Sequence, residues 1–261
     1  MTRIAHDRRG SGPPVVLTHG LGGTSAGIWG RVAGELEDEF TVVTYDLRGT
    51  GGSERVAGPY SLDDFVGDLR ALIEELDLAR PALVGHSFGG SIGLAYSARH
   101  PDEVSAVVSV GGPVVLPEQG QQGMRDRAEK VENEGMASVA VTVATNGTAP
   151  SFRERDPDGF EALVAMLAAN DPATYAATCR VLAELDLRPD LGRVTAPVLL
   201  VAGDRDGVVP PAAGDEIEAA LPNAAPRVTV EDCGHNLTVE RPAVLLEEVR
   251  TFLRGRVTAP E

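Results

Sequence analysis

Ala82-Leu83-Val84-Gly85-His86-Ser87-Phe88-Gly89-Gly90-Ser91 is the stretch whose reading decides the fold. A short apolar run gives way to a serine set among glycines, and a helix-compatible run from Ser91 to Arg99 follows. On a sharp turn between strand and helix, a serine oxygen stands above the sheet and the next N–H faces the same space. Gly85, Gly89 and Gly90 suit such a turn, because a helix packed close behind a strained backbone leaves no room for side chains. The pattern G-x-S-x-G alone decides nothing, since the chain matches it at Ser25, Ser87 and Ser91. Ser91 would lie about one turn inside the helix, and Ser25 sits in a glycine-rich loop several residues past its strand, so both are read as structural. A serine that merely caps the helix is the competing reading of Ser87.

Working outward, short apolar runs alternate with amphipathic stretches, the signature of a mostly parallel sheet flanked by helices. Strands are expected at Val15 to Thr18, Thr41 to Tyr45, Ala82 to Val84, Val104 to Val110, Pro197 to Ala202 and Arg227 to Val230. Ser61-Leu62-Asp63-Asp64 reads as a helix start, followed by Phe65, Leu69, Leu72, Ile73 and Leu76 at helical spacing. Leu245, Leu246, Val249, Phe252 and Leu253 close the chain with another helix, leaving only a short tail. Between about Pro113 and Arg193 the alternation stops. Met124 to Val143 and Phe160 to Leu187 read as helices, so residues 113–193 are expected to form a helical lid inserted into a core of residues 1–112 and 194–261.

A serine hydroxyl needs a histidine to take its proton. Of the five histidines, His235 in Cys233-Gly234-His235-Asn236 follows the last expected strand. That places it at the same sheet edge as Ser87, beyond the carboxyl ends of parallel strands. The acid that orients it is sought after the preceding strand, where Gly203-Asp204-Arg205-Asp206 offers two candidates that spacing does not separate. An oxyanion hole requires a second N–H beside that of Phe88, and Leu21 in His19-Gly20-Leu21-Gly22-Gly23 is placed to give it. That loop matches neither phosphate-binding glycine motif.

Composition narrows the partners. A formal net charge of −16 over 261 residues repels nucleic-acid phosphates and anionic lipid. No apolar run reaches 18 residues and the first residues lack a signal-peptide core, so neither nucleic acid nor membrane is expected as partner and the cytoplasm is the expected location. Cys179 and Cys233 have no metal-ligand or redox-motif spacing and are expected to be reduced. A small molecule is the expected partner, with no cofactor or metal; the sequence leaves the oligomeric state open.

Gly12-Pro13-Pro14-Val15-Val16-Leu17-Thr18-His19-Gly20, Tyr45-Asp46-Leu47-Arg48-Gly49-Thr50-Gly51-Gly52-Ser53, the elbow from Gly85 to Gly90, and the segments ending at Asp206 and running from His235 to Pro242 resemble the α/β-hydrolase superfamily. Pro59-Tyr60-Ser61-Leu62, Asn170 to Ala176 and Leu182 to Arg188 are most similar to the 3-oxoadipate enol-lactonases. The resemblance implies the α/β-hydrolase fold and a Ser87, Asp206, His235 triad, Asp206 being the aspartate four residues before Pro210. It implies hydrolysis of an ester or lactone through an acyl-serine, with a small enol-lactone such as 3-oxoadipate enol-lactone as first substrate. Arg125, Arg127 and Arg153 are lid cations that could meet its carboxylate. Thr50 stands where relatives commonly have histidine, and the lid lacks tryptophan. The alternatives are other triad chemistries (C–C bond hydrolysis, acyl-homoserine lactone cleavage, perhydrolysis) or a low-turnover ligand sensor.

Overall fold

The computed structural model describes residues 2–210 and 212–257. The expected tail after the last helix lies largely outside them. The elements run in the order β1 His6–Arg9, β2 Pro14–Thr18, α1 Ser25–Leu36, β3 Thr41–Tyr45, α2 Leu62–Glu75, β4 Ala82–His86, α3 Phe88–Arg99 and β5 Ala106–Val110. Five helices follow, α4 Glu118–Glu134, α5 Ala140–Asn146, α6 Pro150–Arg155, α7 Pro157–Ala168 and α8 Pro172–Ala183. The chain then returns through β6 Val198–Gly203, α9 Ala213–Ala220, β7 Val228–Val230, α10 Leu237–Glu240 and α11 Pro242–Leu253.

The sheet order is β1-β3-β2-β4-β5-β6-β7, antiparallel at β1 and parallel elsewhere. Strands β2 to β5 are buried along their whole length, which explains their near-continuous Val, Leu and Ala. Alternate side chains face opposite layers. Val16, Val43, Leu83 and Val107 pack toward α2, α3 and the inserted helices, while Val15, Val42, Val84 and Val108 pack toward α1 and α11. Successive strands are added on opposite sides of β2, so the order reverses between β2 and β4. A crevice opens there beyond the strand ends, bounded by the loop after β2 and the turn after β4.

Four sequence expectations need correction. The edge strand β1, with its exposed His-Asp-Arg-Arg, was not expected, because a charged edge that resists further pairing shows no apolar pattern. The helix after the elbow begins at Phe88 rather than Ser91. Met124 to Val143 is not one helix, since Gly135 takes φ 78° and ends α4 before a short turn leads to α5. Phe160 to Leu187 is likewise divided, because Asp171 caps a new helix that starts at Pro172.

Candidate active site

Ser87 has φ 53° and ψ −123°, a left-handed backbone that a residue with a Cβ adopts at a cost of about 1–3 kcal/mol. Its surroundings enforce that conformation. The Ser87 N–H donates to the Val110 carbonyl at 2.8 Å and the Ser87 carbonyl accepts from Gly90 N–H at 2.8 Å. The turn is also packed backbone to backbone, for a Cβ on Gly85 would fall 2.2 Å from the Gly89 backbone and one on Gly89 would fall 2.2 Å from the Thr18 carbonyl. Only glycine permits those approaches.

The loop after β2 lies against the serine, since a Cβ on Gly20 would come within 2.7 Å of Ser87 Cβ. Buried His19 braces this loop. Its Nδ1 donates to the Gly20 carbonyl at 2.8 Å, and its Nε2 accepts the Leu47 N–H at 3.0 Å. Burial lowers its pKa, which keeps the ring in the neutral form these bonds need. Thr50 lies 3.3 Å from the same Nε2 and donates to the Leu47 carbonyl at 2.7 Å. Beyond this brace, the N–H groups of Leu21 and Phe88 donate to no other backbone group among the described residues.

His235 arrives on the loop between β7 and α10. Its Nδ1 lies 2.8 Å from Asp206 Oδ2, while Asp206 Oδ1 accepts the Val208 and Val209 N–H groups at 2.8 Å each. Burial pushes the Asp206 carboxyl up, but the neighbouring His235 and these three hydrogen bonds outweigh it and hold it below the usual carboxylate range. Asp204 does a different job, accepting the Cys233 N–H at 3.1 Å. Of the two aspartates that spacing left open, Asp206 is the one that meets His235. The His235 Nε2 makes no hydrogen bond among the described residues, that to Ser87 Oγ included.

Ser87 and His235 line one cavity of about 90 Å³, together with Leu21, His86, Gly147 and the inserted helices. The cavity wall is mostly apolar, through Ile28, Met124, Leu163, Met166, Leu167 and Leu182, and among the described residues it carries no Asp or Glu. Of the three lid arginines, Arg127 alone reaches it. Arg125 is turned to Gln122 on the surface, and Arg153 is occupied by the Thr145 and Thr148 carbonyls. The Arg127 guanidinium approaches the Tyr175 hydroxyl without closing a bond of ordinary geometry, and that buried hydroxyl has no other partner. Burial, aided by Cys179 and opposed by Arg127, pushes the Tyr175 phenol up to about 12.

Two contributors to this frame were not legible as such. His86 Nε2 donates to the His235 carbonyl at 3.0 Å, and burial, then the adjacent His235, pushes its pKa down to about 3, so it serves as a neutral brace. The Gly147 carbonyl accepts the His235 and Asn236 N–H groups at 3.0 and 3.1 Å and the Asn236 amide at 2.7 Å. The sequence marks Asn146-Gly147 only as a break between helices. Both cysteines are free and buried, and no helix among the described residues is long and apolar enough to cross a membrane.

Residues 13–242 match the family described as alpha/beta hydrolase fold. The chain is 30% identical over 242 residues to 3-oxoadipate enol-lactonase 2 of Acinetobacter baylyi, which covers 93% of this chain and 89% of that protein. Among solved structures it is similar to a thermophilic esterase from Thermogutta terrifontis with malate bound, at 26% identity and a TM-score of 0.92, covering 98% of this chain and 95% of that one. It is also similar to the enol-lactonase from Burkholderia xenovorans, at 29% identity and a TM-score of 0.90, covering 97% of each chain.

Proposed function

Because the chain belongs to the alpha/beta hydrolase family and is similar to enol-lactonases and an esterase, we propose that it hydrolyses a carboxylic ester or lactone through an acyl-serine at Ser87. His235 Nε2 accepts the hydroxyl proton as Oγ attacks the carbonyl carbon, and the carbonyl π pair moves to oxygen. The N–H groups of Leu21 and Phe88 receive that oxyanion, a task for which each is worth about 2.7 to 4 kcal/mol in comparable sites. As the carbon–oxygen bond breaks, His235 returns the proton to the leaving alkoxide, which in a lactone remains tethered to the acyl group. Water then repeats the sequence on the acyl-serine, with His235 again as base. Asp206 holds the ring with Nδ1–H toward itself and stabilises its charged form. The open Ser87–His235 contact suits an unliganded site, where such bonds are often long.

The observation that carries this reading is the 2.8 Å His235–Asp206 contact opening on the cavity that also holds the strained Ser87. Ser87→Ala is expected to abolish hydrolysis of p-nitrophenyl acetate and fluorophosphonate labelling while leaving the melting temperature within a few degrees. Unchanged turnover would reject the assignment.

For the substrate we propose a small lactone or ester bearing a carboxylate, first of all an enol-lactone such as 3-oxoadipate enol-lactone, acted on in the cytoplasm under the lid of residues 113–193. The likeness to enol-lactonases supports this, as does Arg127, the one permanent cation of the cavity wall among the described residues. A charge-assisted pair contributes about 1.5–3 kcal/mol, so Arg127→Met is expected to cost roughly 10- to 100-fold in kcat/KM on the anionic lactone and little on a neutral acetate ester. Equal losses on both would remove Arg127 from the reading.

A further inference from the structure

Beside the cavity at Ser87 lies a second and larger one, of about 390 Å³, between the start of α1, helix α7 and helix α10. The two share three wall residues, Ile28, Leu163 and Met166, so these side chains form the partition between them. Ile28 and Leu163 are fixed, being 4% and 5% exposed within packed apolar clusters. Met166 is only half-buried and sits at the edge of both clusters. It lies across the first turn of α1 in space that a glycine leaves open, since a Cβ on Gly27 would fall 2.3 Å from its sulfur. Among the described residues its sulfur accepts one long hydrogen bond, from the Thr24 hydroxyl at 3.9 Å. The partition therefore consists of two fixed branched side chains and one unbranched side chain with three rotatable bonds. On the far side Ala26, Ala162 and Val239 continue an apolar strip, beside Thr24, Arg31, Asp156 and Thr238, where the space opens toward the surface.

We infer that Met166 sets the chain-length limit of the enzyme: it closes the catalytic cavity against a neighbouring space, apolar along Ala26, Ala162 and Val239, that would otherwise seat a linear alkyl arm of the ester. This rests on the proposed ester hydrolysis at Ser87 and adds a specificity residue that touches neither the proposed triad nor the oxyanion N–H groups. In the wild-type enzyme the small cavity admits short arms only. Shortening Met166 joins the two spaces, and each methylene then seated contributes about fourfold in kcat/KM.

The test compares wild type, Met166→Ala and Met166→Leu on two ester series. p-Nitrophenyl esters from acetate to decanoate lengthen the acyl arm, and acetate esters from methyl to octyl lengthen the alcohol arm. In Met166→Ala the ratio of kcat/KM for an eight-carbon arm to that for the shortest is expected to rise at least about tenfold in one series, and the responding series identifies the arm. Met166→Leu, which keeps the bulk, should retain the wild-type profile. Adding Ala162→Phe to Met166→Ala refills the second space from its far wall and should reverse the gain. If wild type hydrolyses short esters but Met166→Ala leaves both profiles unchanged, the partition is refuted while the proposed function stands. If wild type hydrolyses no ester in either series the chain-length limit is refuted, and if it also leaves a carboxylate-bearing enol-lactone intact the proposed function itself fails.

Discussion

Replacing Asp206 with Asn probes the proposed site by exchanging one oxygen for an amide nitrogen at nearly constant shape. Asp206 Oδ1 accepts two half-buried N–H groups, from Val208 and Val209, and Oδ2 lies 2.8 Å from His235 Nδ1. An asparagine has one oxygen for these two duties. If that oxygen stays on the backbone donors, the NH₂ faces Nδ1 and the ring must carry its proton on Nε2, where it can no longer accept the Ser87 proton. The opposite rotamer restores the working tautomer but takes the acceptor from both half-buried N–H groups, at about 1–3 kcal/mol each. The competent arrangement is then disfavoured by roughly 2–6 kcal/mol, so kcat is expected to fall by about 10² to 10⁴, the upper end matching other triads. Chain stability should change by less than about 1 kcal/mol, since every backbone donor keeps an acceptor in the favoured rotamer. Asp204→Asn is the internal control, because among the described residues the Asp204 side chain accepts only the Cys233 N–H, and it should lose less than about threefold. The assay is steady-state hydrolysis of p-nitrophenyl acetate with parallel urea melts. An Asp206→Asn enzyme retaining more than a tenth of its activity, or an equal loss in Asp204→Asn, would refute the reasoning.

Two further predictions concern the frame around the site. Burial holds His86 at about 3 in the folded chain, against 6.5 unfolded, so between those values only the unfolded state is protonated. The stability this confers is complete above pH 6.5 and is lost as pH falls, by up to about 1.4 kcal/mol per pH unit. Denaturant melts from pH 7 to 4 should show a slope smaller by close to one proton in His86→Gln, and parallel curves would refute the assignment. Glu240 is buried and its Oε2 accepts the Ala149 and Gly234 N–H groups at 2.9 and 3.0 Å. Glu240→Ala should therefore cost roughly 2–5 kcal/mol, while Glu240→Gln, which keeps a carbonyl oxygen, should cost less than half as much; equal losses would show that these bonds are not the cause.

The parts of the fold legible in the sequence are those where one physical demand acts alone. Strands buried on both faces must be apolar and short, so β2 to β6 declare themselves, and the glycines around Ser87 reflect contacts near 2.2 Å that no other residue allows. Where two demands compete, the pattern misleads. The edge strand β1 gives up an apolar face to keep its edge charged, and α4 and α5 share one apolar period although Gly135 separates them. Spacing could not choose between Asp204 and Asp206, because both stand on the turn after β6 and only the fold shows that Asp204 accepts the Cys233 N–H while Asp206 meets His235 Nδ1. Nor could it choose among Arg125, Arg127 and Arg153, since which arginine faces the cavity depends on how α4 is rotated against α8 and on the carbonyls that hold Arg153 on α6.

The inserted helices do two separable jobs. The His235 backbone is held from below by His86, whose ring donates to its carbonyl, and from above by the Gly147 carbonyl, which accepts three N–H groups from His235 and Asn236. Glu240 adds a second tie, joining Ala149 at the start of α6 to Gly234 beside the histidine. The segment from Asn146 to Ala149 therefore belongs to the frame that places the proposed base, although it lies within the inserted region, and displacing it would displace the imidazole. Beyond Val143, Asn146 and Gly147, the inserted residues that line the cavity stand on other helices: Met124 and Arg127 on α4, Leu163, Met166 and Leu167 on α7, and Tyr175 and Leu182 on α8. Substitutions there alter the cavity wall without breaking a hydrogen bond to His235. The proposed chemistry is thus anchored near the middle of the insertion while the helices before and after that anchor are free to change, so the same proposed triad geometry can persist under differently shaped cavities.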